Sequence, residues 1–208
     1  MIFNAERPPM RKNAGQSLAK LTPHFARAVS WIGHPLVFVT VSVCIVAVSR
    51  LAPREALSIL LILFFSLILP MGLLLFGGVR SGHWSDPDIS VRTERKRFYP
   101  VAIPFSAIGV FILWSLRAPH FVLRGALITF ALLAVAAVVN LRTKLSLHAL
   151  FAFYCSVILF RINPAFGGVA FALSFALFWS RLYLQRHDLV EMLTGTLLGL
   201  GGGVVTAW

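Results

Sequence analysis

The sequence predicts an all-α protein, a polytopic bundle of six to seven transmembrane helices, and two observations carry this prediction. Of the 208 residues, 58% are apolar and only 12% are charged, whereas about 25% are charged in a typical soluble domain. The chain also contains seven long stretches without Asp, Glu, Lys or Arg, and a spanning helix needs about 20 mostly apolar residues. A chain with so few charges cannot build a polar shell, so lipid is the solvent that it fits.

The seven uncharged stretches define the predicted helices in chain order. They are residues 31–49, 56–79, 98–116, 125–141, 145–160, 162–180 and 192–208. Helix is favoured over strand because lipid offers no water to unpaired backbone groups, and the stretches are too long for barrel strands. The fourth is extended back to Pro119, with Arg124 reaching toward the interface, and the fifth is extended by Lys144 and Arg161.

One domain is predicted, residues 29–208, preceded by a basic segment, residues 1–28, that forms either a flexible tail or a surface helix. The N-terminal segment has no short apolar core before a small-residue cleavage site, so no removable signal peptide is expected. Cys44 and Cys155 lie in separate apolar stretches and are expected to be small core residues. Gly195, Gly199 and Gly203 are spaced four apart, which predicts close helix packing.

The distribution of positive charge predicts the orientation. With seven crossings, the N-terminal segment and the loops 80–97, 142–144 and 181–188 share one side, which holds 14 of the 19 Lys and Arg residues. The positive-inside rule places this side in the cytoplasm. The net charge of +12 fits attraction to anionic lipid headgroups. Nucleic acid is excluded as a partner class, because the basic residues occupy short loops between membrane spans.

The loop at 181–188 carries the most specific polar pattern. Arg181 ends one apolar stretch, and His187 precedes the next. Glu191 follows His187 by four residues, so the two share a face of a helix. A carboxylate there can bond one imidazole nitrogen and leave the other free to attack, as in an activated nucleophile. Arg181 suits a phosphate, because its planar guanidinium can bond two oxygens at once.

Two further loops carry groups that suit the same chemistry. Ser146 can cap the helix that follows it, and His148 falls in the first turn, where free N–H groups favour an anion. His148 could give a proton to a leaving oxygen. The loop before residue 98 is densely cationic and includes Arg92 and Arg95. Since two helices separate each loop from the next, all three are expected at one end of the bundle.

The pattern Ser180-Arg181, five residues, His187, three residues, Glu191 resembles the third motif, SR-x5-H-x3-D, of the type 2 phosphatidic acid phosphatase superfamily. Glu191 stands in place of the Asp. The resemblance covers about half of the chain, residues 88–195, and it implies a core of the same helix-bundle kind as in that family.

The family's other two motifs, PSGH and K-x6-RP, are matched more loosely. In the second motif, Ser146 and His148 keep their places, while leucines replace the Pro and Gly. In the first motif, Arg92 stands at the Lys position and Pro100 is kept, but Tyr99 stands at the Arg position.

The resemblance implies hydrolysis of a phosphate ester or diphosphate through a phosphohistidine, with no metal and no cofactor. His187 would be the nucleophile, Glu191 its orienting partner, and His148 the general acid and then the base. The residues implied to bind the phosphate are Arg92, Arg181, Ser146 and Arg95. Because Tyr99 replaces the Arg of the first motif, another residue would have to supply that positive charge. The candidates are Arg95, Lys96 and Arg97.

Two other functions are weighed against this one. A non-catalytic relative of the family would bind or transport a lipid phosphate. A metal-dependent transferase would use Asp86, Asp88 and Glu94 to hold magnesium. The lipid substrate (phosphatidate, phosphatidylglycerophosphate, or a polyprenyl phosphate or diphosphate) and the oligomeric state stay open at the level of the sequence.

Overall fold

The computed structural model describes residues 12–89 and 91–207, and in these ranges its regular elements are helices, with no strand. The predicted all-α class is confirmed. The helices are α1 (Lys12–Ile32), α2 (Pro35–Arg50), α3 (Pro53–Leu63), α4 (Leu69–Arg80), α5 (Arg92–Ser115), α6 (His120–Arg142), α7 (Leu147–Ile162), α8 (Pro164–Tyr183) and α9 (Leu189–Ala207). A π-helical turn, Phe64–Ile68, joins α3 to α4, so Pro53–Arg80 forms one continuous helical rod.

Five helical rods in the described ranges are long and apolar enough to cross a membrane. They are Pro53–Arg80, α5, α6, α8 and α9. The C-terminal part of α1, from Thr22, and α2 make a sixth unit only if the pair is counted together, and a bend of 53° separates them. Helix α7 is apolar but has 16 residues, fewer than the roughly 20 that a straight span needs. Each of the seven predicted stretches contains a helix, and five or six reach spanning length.

The first predicted stretch, 31–49, crosses a helix boundary, which corrects the prediction. Helix α1 continues to Ile32, and α2 begins at Pro35. Proline suits the first position of a helix because the N–H it lacks would have no partner there. The His34 ring accepts a hydrogen bond from the N–H of Leu36 at 3.3 Å, which caps the same end.

Of the basic segment 1–28, residues 12–28 belong to helix α1, while residues 1–11 lie outside the described residues. Helix α1 packs against α8. Ala26 is fully buried, and its carbonyl accepts a hydrogen bond from the Ser180 hydroxyl at 2.6 Å. The described part of this segment is therefore helical.

Helix α7 is the core of the bundle. Its residues from His148 to Ser156 are all buried, and α2, α8 and α9 pack around it. A helix that is buried on every side belongs at the centre of a bundle. Cys155 lies in this core as predicted, whereas Cys44 on α2 is only half-buried.

The three glycines of α9 lie directly against α7. A Cβ atom at Gly195 would come within 2.5 Å of the Ser146 carbonyl oxygen, and one at Gly199 within 2.2 Å of the Leu150 carbonyl oxygen. At Gly203 it would meet the Val157 side chain at 2.6 Å. The prediction of close packing is confirmed, and this contact fixes the start of α9 beside the start of α7.

Candidate active site

The three polar loops meet at one end of the bundle. Lys144 donates a hydrogen bond to the carbonyl of Arg186 at 2.8 Å and lies 3.5 Å from the carboxylate of Glu191. The Arg95 guanidinium donates to the carbonyl of Leu145 at 2.6 Å. The prediction that these loops share one end is therefore confirmed by direct contacts between them.

The buried His187 and the partly buried Glu191 form a pair just before and within the first turn of α9. The Nδ1 atom of His187 lies 2.6 Å from the Glu191 carboxylate. The Asp188 carboxylate accepts from the N–H of Glu191 at 2.8 Å, so it caps the helix that positions Glu191. When the Glu191 carboxylate accepts a hydrogen bond from Nδ1–H, the Nε2 atom of the neutral ring carries a lone pair. That Nε2 atom is buried and has no hydrogen-bond partner among the described residues.

The surroundings of His187 keep its imidazole neutral. Burial lowers the pKa of His187, and the nearby positive charges of Arg181, Lys144 and Arg95 lower it further, to well below its ordinary value. A neutral ring at physiological pH retains the lone pair on Nε2. The same cations that would bind an anionic substrate therefore also keep this nitrogen unprotonated.

Arg181 brings a completely buried guanidinium to the site. Its Nη1 donates to the Ser30 hydroxyl at 2.8 Å and to the Asp88 carboxylate at 2.5 Å. Its Nε and Nη2 are buried and have no hydrogen-bond partner in the described part of the chain. Buried N–H groups without partners are costly. A phosphate, which bonds guanidinium groups in pairs, would satisfy them.

Asp88 bridges Arg181 and His148. One carboxylate oxygen accepts from Arg181, and the other lies 3.4 Å from the Nε2 of His148. Burial alone would raise the pKa of Asp88, but the adjacent His148 and the charge of Arg181 lower it well below its usual range. An ionised carboxylate therefore faces two of the groups predicted to act on a phosphate. The His34 ring packs edge-on against His148, with ring centroids 5.6 Å apart.

The predicted phosphate-binding residues Ser146 and Arg92 each bond to backbone groups of the protein. The Ser146 hydroxyl accepts from the N–H of Ala149 at 3.3 Å, so it caps α7 as predicted, and its own N–H donates to the carbonyl of Glu191. The Arg92 guanidinium donates to the carbonyls of Asn140 and Leu141 at the end of α6. Arg92 thus caps α6 in this structure.

Arg95 is the buried cation of the first loop. It is only 2% exposed, and it donates to the carbonyls of Ile89 and Leu145. Lys96 and Arg97 are exposed. Three residues are candidates to replace the motif's Arg, whose position Tyr99 occupies. Of these, Arg95 is the one that the structure brings toward the site.

The acidic residues of the magnesium hypothesis are directed to separate partners. Asp86 pairs with Arg186 at 3.2 Å, Glu94 accepts from the backbone N–H of Ser85, and Asp88 faces Arg181. In the described ranges, no group of three or more His, Cys, Asp or Glu side chains is arranged to hold a metal ion.

Sequence reasoning missed the roles of Asp88, His34, Ser30 and Lys144 at this site. The sequence suggests Asp88 only as a metal ligand, together with Asp86 and Glu94, although an acid next to a densely cationic loop also fits an ion pair. Ser30 and His34 come from the α1–α2 corner, and no local pattern links that corner to residues 148 and 181. The packing of α1 on α8 brings Ser30 to Arg181, and the packing of α2 on α7 brings His34 to His148.

Comparisons of the chain with protein-family models, with curated proteins and with solved structures return no match.

Proposed function

We propose that this chain is a polytopic integral membrane phosphatase that hydrolyses a lipid phosphate or diphosphate through a phosphohistidine at His187, without a metal. The observation that carries the proposal is the His187–Glu191 pair. The Nδ1 atom of His187 is hydrogen-bonded to the Glu191 carboxylate, and the Nε2 atom of His187 is buried and has no hydrogen-bond partner in the described structure. The buried Arg181, with two N–H groups also unpartnered there, supplies the site for the anion.

The proposed reaction has two steps. In the first, the Nε2 lone pair of His187 attacks phosphorus, the P–N bond forms, and the P–O bond to the leaving group breaks. His148 gives its proton to the departing oxygen, and Glu191 stabilises the positive charge that develops on the imidazole of His187. In the second, His148 takes a proton from water, the water oxygen attacks phosphorus, and the P–N bond breaks. Orthophosphate leaves and both histidines return to their starting states.

Arg181 and Arg95 would contribute by stabilising negative charge. Charge grows on the phosphoryl oxygens in the transition state, and a fixed, buried guanidinium stabilises it without reorganising. In the proposed topology this end of the bundle faces the cytoplasm, because 14 of the 19 Lys and Arg residues fall on its side.

A lipid-phosphate binder or transporter without turnover is the second candidate, and one observation favours it. Arg92, which the family resemblance assigns to the phosphate, instead bonds the carbonyls at the end of α6. A site with fewer cations would bind a phosphate yet stabilise the transition state less.

Phosphate release by the purified protein in EDTA separates these functions. The variants are His187→Ala and, as a control, His120→Ala, which removes an exposed histidine at the start of α6. We expect release from at least one lipid phosphate or diphosphate by wild type and by His120→Ala, and a loss of about 10⁴-fold in His187→Ala.

Three results would contradict the phosphatase proposal. Full activity in His187→Ala would exclude His187 as the nucleophile. Binding of lipid phosphates without any release would favour the binder. Activity that appears only after magnesium is restored, and that depends on Asp86 and Asp88, would favour a metal-dependent transferase.

A further inference from the structure

Two cavities lie on the side of α7 that faces α2, α5 and α6. The first has a volume of about 100 Å³, and its polar end is formed by His34, Asp88, Arg95 and His148. The second has a volume of about 240 Å³ and extends along the bundle to Arg50 and Arg161, near the C-terminal ends of α2 and α7. Apart from these ends, both are lined mainly by apolar side chains.

The two cavities adjoin, because four residues line both of them: Val39, Leu67, Ser106 and Thr129. These residues come from α2, the π-helical turn, α5 and α6, so they surround the passage where the two cavities meet. We refer to the two cavities with this passage as the cleft. Along α7 it runs from His148 to Arg161, a distance of about 20 Å at the helical rise of 1.5 Å per residue.

We propose that this cleft binds the single extended apolar chain of an anionic lipid, whose phosphate occupies the position now held by the Asp88 carboxylate; the identity of the headgroup as a substrate rests on the proposed function. Asp88 lines the cleft and also bonds Arg181. A phosphate that displaced it would meet Arg181 and His148 directly, with its chain already in the cleft.

The shape and the charge of the cleft favour this class of ligand. An apolar cavity that holds no ligand forfeits contacts along its walls, and apolar atoms fill it better than water does. The two cavities, of about 240 and 100 Å³, adjoin at four shared residues and follow one another along α7, an arrangement that suits one extended chain. On the opposite side of α7, the glycines of α9 approach the backbone too closely to leave a second cleft along that contact. A single-chain or isoprenoid phosphate therefore fits better than a diacyl lipid.

The test compares two valine variants on α2. Val39→Phe places a ring in the passage, whereas Val41→Phe is its control, because Val41 is 52% exposed and does not line the cleft. The probes are butylphosphonate and dodecylphosphonate, whose C–P bond is not hydrolysed, and binding is measured by calorimetry in detergent micelles. Wild type and Val41→Phe should bind the dodecyl probe about 30-fold or more tightly than the butyl probe, because each buried methylene adds affinity.

In Val39→Phe this preference should fall to about threefold or less while binding of butylphosphonate is retained. Equal preference for the long chain in Val39→Phe and wild type would overturn the proposal. Because Val39→Phe could also disturb folding, a second measurement uses wild type alone. A dodecylphosphonate with a photoreactive diazirine at its far end should label α7 around Cys155. Labelling confined to lipid-facing positions such as Val41 would contradict the cleft.

These measurements do not depend on turnover, so they fail separately from the proposed function. A chain-length preference and labelling of α7 without phosphate release would support the cleft proposal and contradict the phosphatase proposal. Phosphate release with no chain-length preference in binding would support the phosphatase proposal and contradict the cleft proposal.

Discussion

The two sides of helix α7 are built in opposite ways. Toward α9, three glycines bring the two backbones together so closely that a single added Cβ at Gly199 would lie 2.2 Å from a carbonyl oxygen. Toward α2 and α5, the same helix borders cavities of about 100 and 240 Å³. The dense side carries His187 and Glu191 at the start of α9, and the open side has room for a ligand.

This difference fits the proposed roles of the two sides, with the reaction on the dense side and ligand binding on the open side. Reacting groups must be held to within a fraction of an ångström of their working geometry, and tight packing of α9 on α7 fixes His187 and Glu191 relative to Ser146 and His148. A binding cleft needs unfilled volume instead. His148 lies in the first turn of α7, where the two sides meet, and Asp88 occupies the same junction.

The largest effect is expected from breaking the pair on the dense side. Glu191→Gln removes the carboxylate that holds the Nδ1 proton of His187 and stabilises the imidazole as it becomes charged. We expect kcat to fall about 10³-fold, measured as phosphate release in EDTA. Glu191→Asp keeps the charge on a shorter side chain and should recover a large part of the activity. Equal losses in the two variants would show that the carboxylate does not orient His187.

The dense packing itself is tested by Gly199→Ala. The added methyl group has no space against the Leu150 carbonyl, so unfolding in detergent should become easier by about 3 kcal/mol. Gly201→Ala is the matched control, because a Cβ there meets nothing within 4 Å. Alanine favours helix over glycine by up to about 1 kcal/mol, so the control should be neutral or slightly stabilised. Similar destabilisation in both variants would contradict the close packing of α9 on α7 at Gly199.

The burial of neutral His187 makes stability depend on pH. The folded protein holds the pKa of His187 well below its ordinary value, so the unfolded chain binds more protons once the pH falls below about 6.5. Stability is lost as the pH falls, by about 1.5 kcal/mol between pH 6.5 and 5 from this residue. His187→Asn should flatten this part of the unfolding curve. Parallel curves for wild type and His187→Asn would mean that the ring is not held neutral.

The junction between the two sides is tested by Asp88→Asn. Removing the carboxylate leaves Arg181 and His148 without their present anion, so orthophosphate should bind about tenfold more tightly, a change of about 1.4 kcal/mol. Asp86→Asn is the control, because Asp86 pairs with Arg186 and does not line the cleft. Calorimetry measures both. Weaker or unchanged binding in Asp88→Asn would show that Asp88 does not compete for the anion position.

Much of the fold could be predicted from sequence, because lipid imposes a simple rule on apolar length. Each of the seven uncharged stretches contains a helix, and the spacing of Gly195, Gly199 and Gly203 predicts close helix packing, although it does not identify α7 as the partner. The boundary at Pro35 was missed because the apolar composition continues across it. The sequence does not decide between a tail and a helix for the segment of α1, because amphipathic segments, unlike apolar ones, fold only where a partner is present.

The candidate site could be predicted in part, where the contacts are local. The spacing of His187 and Glu191 and the cap at Ser146 are set within one helical turn, so the sequence indicated both. Arg92 and Asp88 depend on long-range packing: the partners of Arg92 are 48 and 49 residues away, and Asp88 meets Arg181 across 93 residues. No local pattern encodes which of several cations in a loop turns inward, and Arg95 is the one that does.

The most direct test of the central claim is to trap the phosphoenzyme. The protein is mixed in EDTA with a lipid phosphate or diphosphate that it hydrolyses, quenched within milliseconds in base, and digested for mass spectrometry. The account predicts a base-stable, acid-labile phosphoryl group on the peptide that contains His187, and none in His187→Asn. Turnover with no phosphoryl group on that peptide, or an equal amount of phosphoenzyme in His187→Asn, would contradict it.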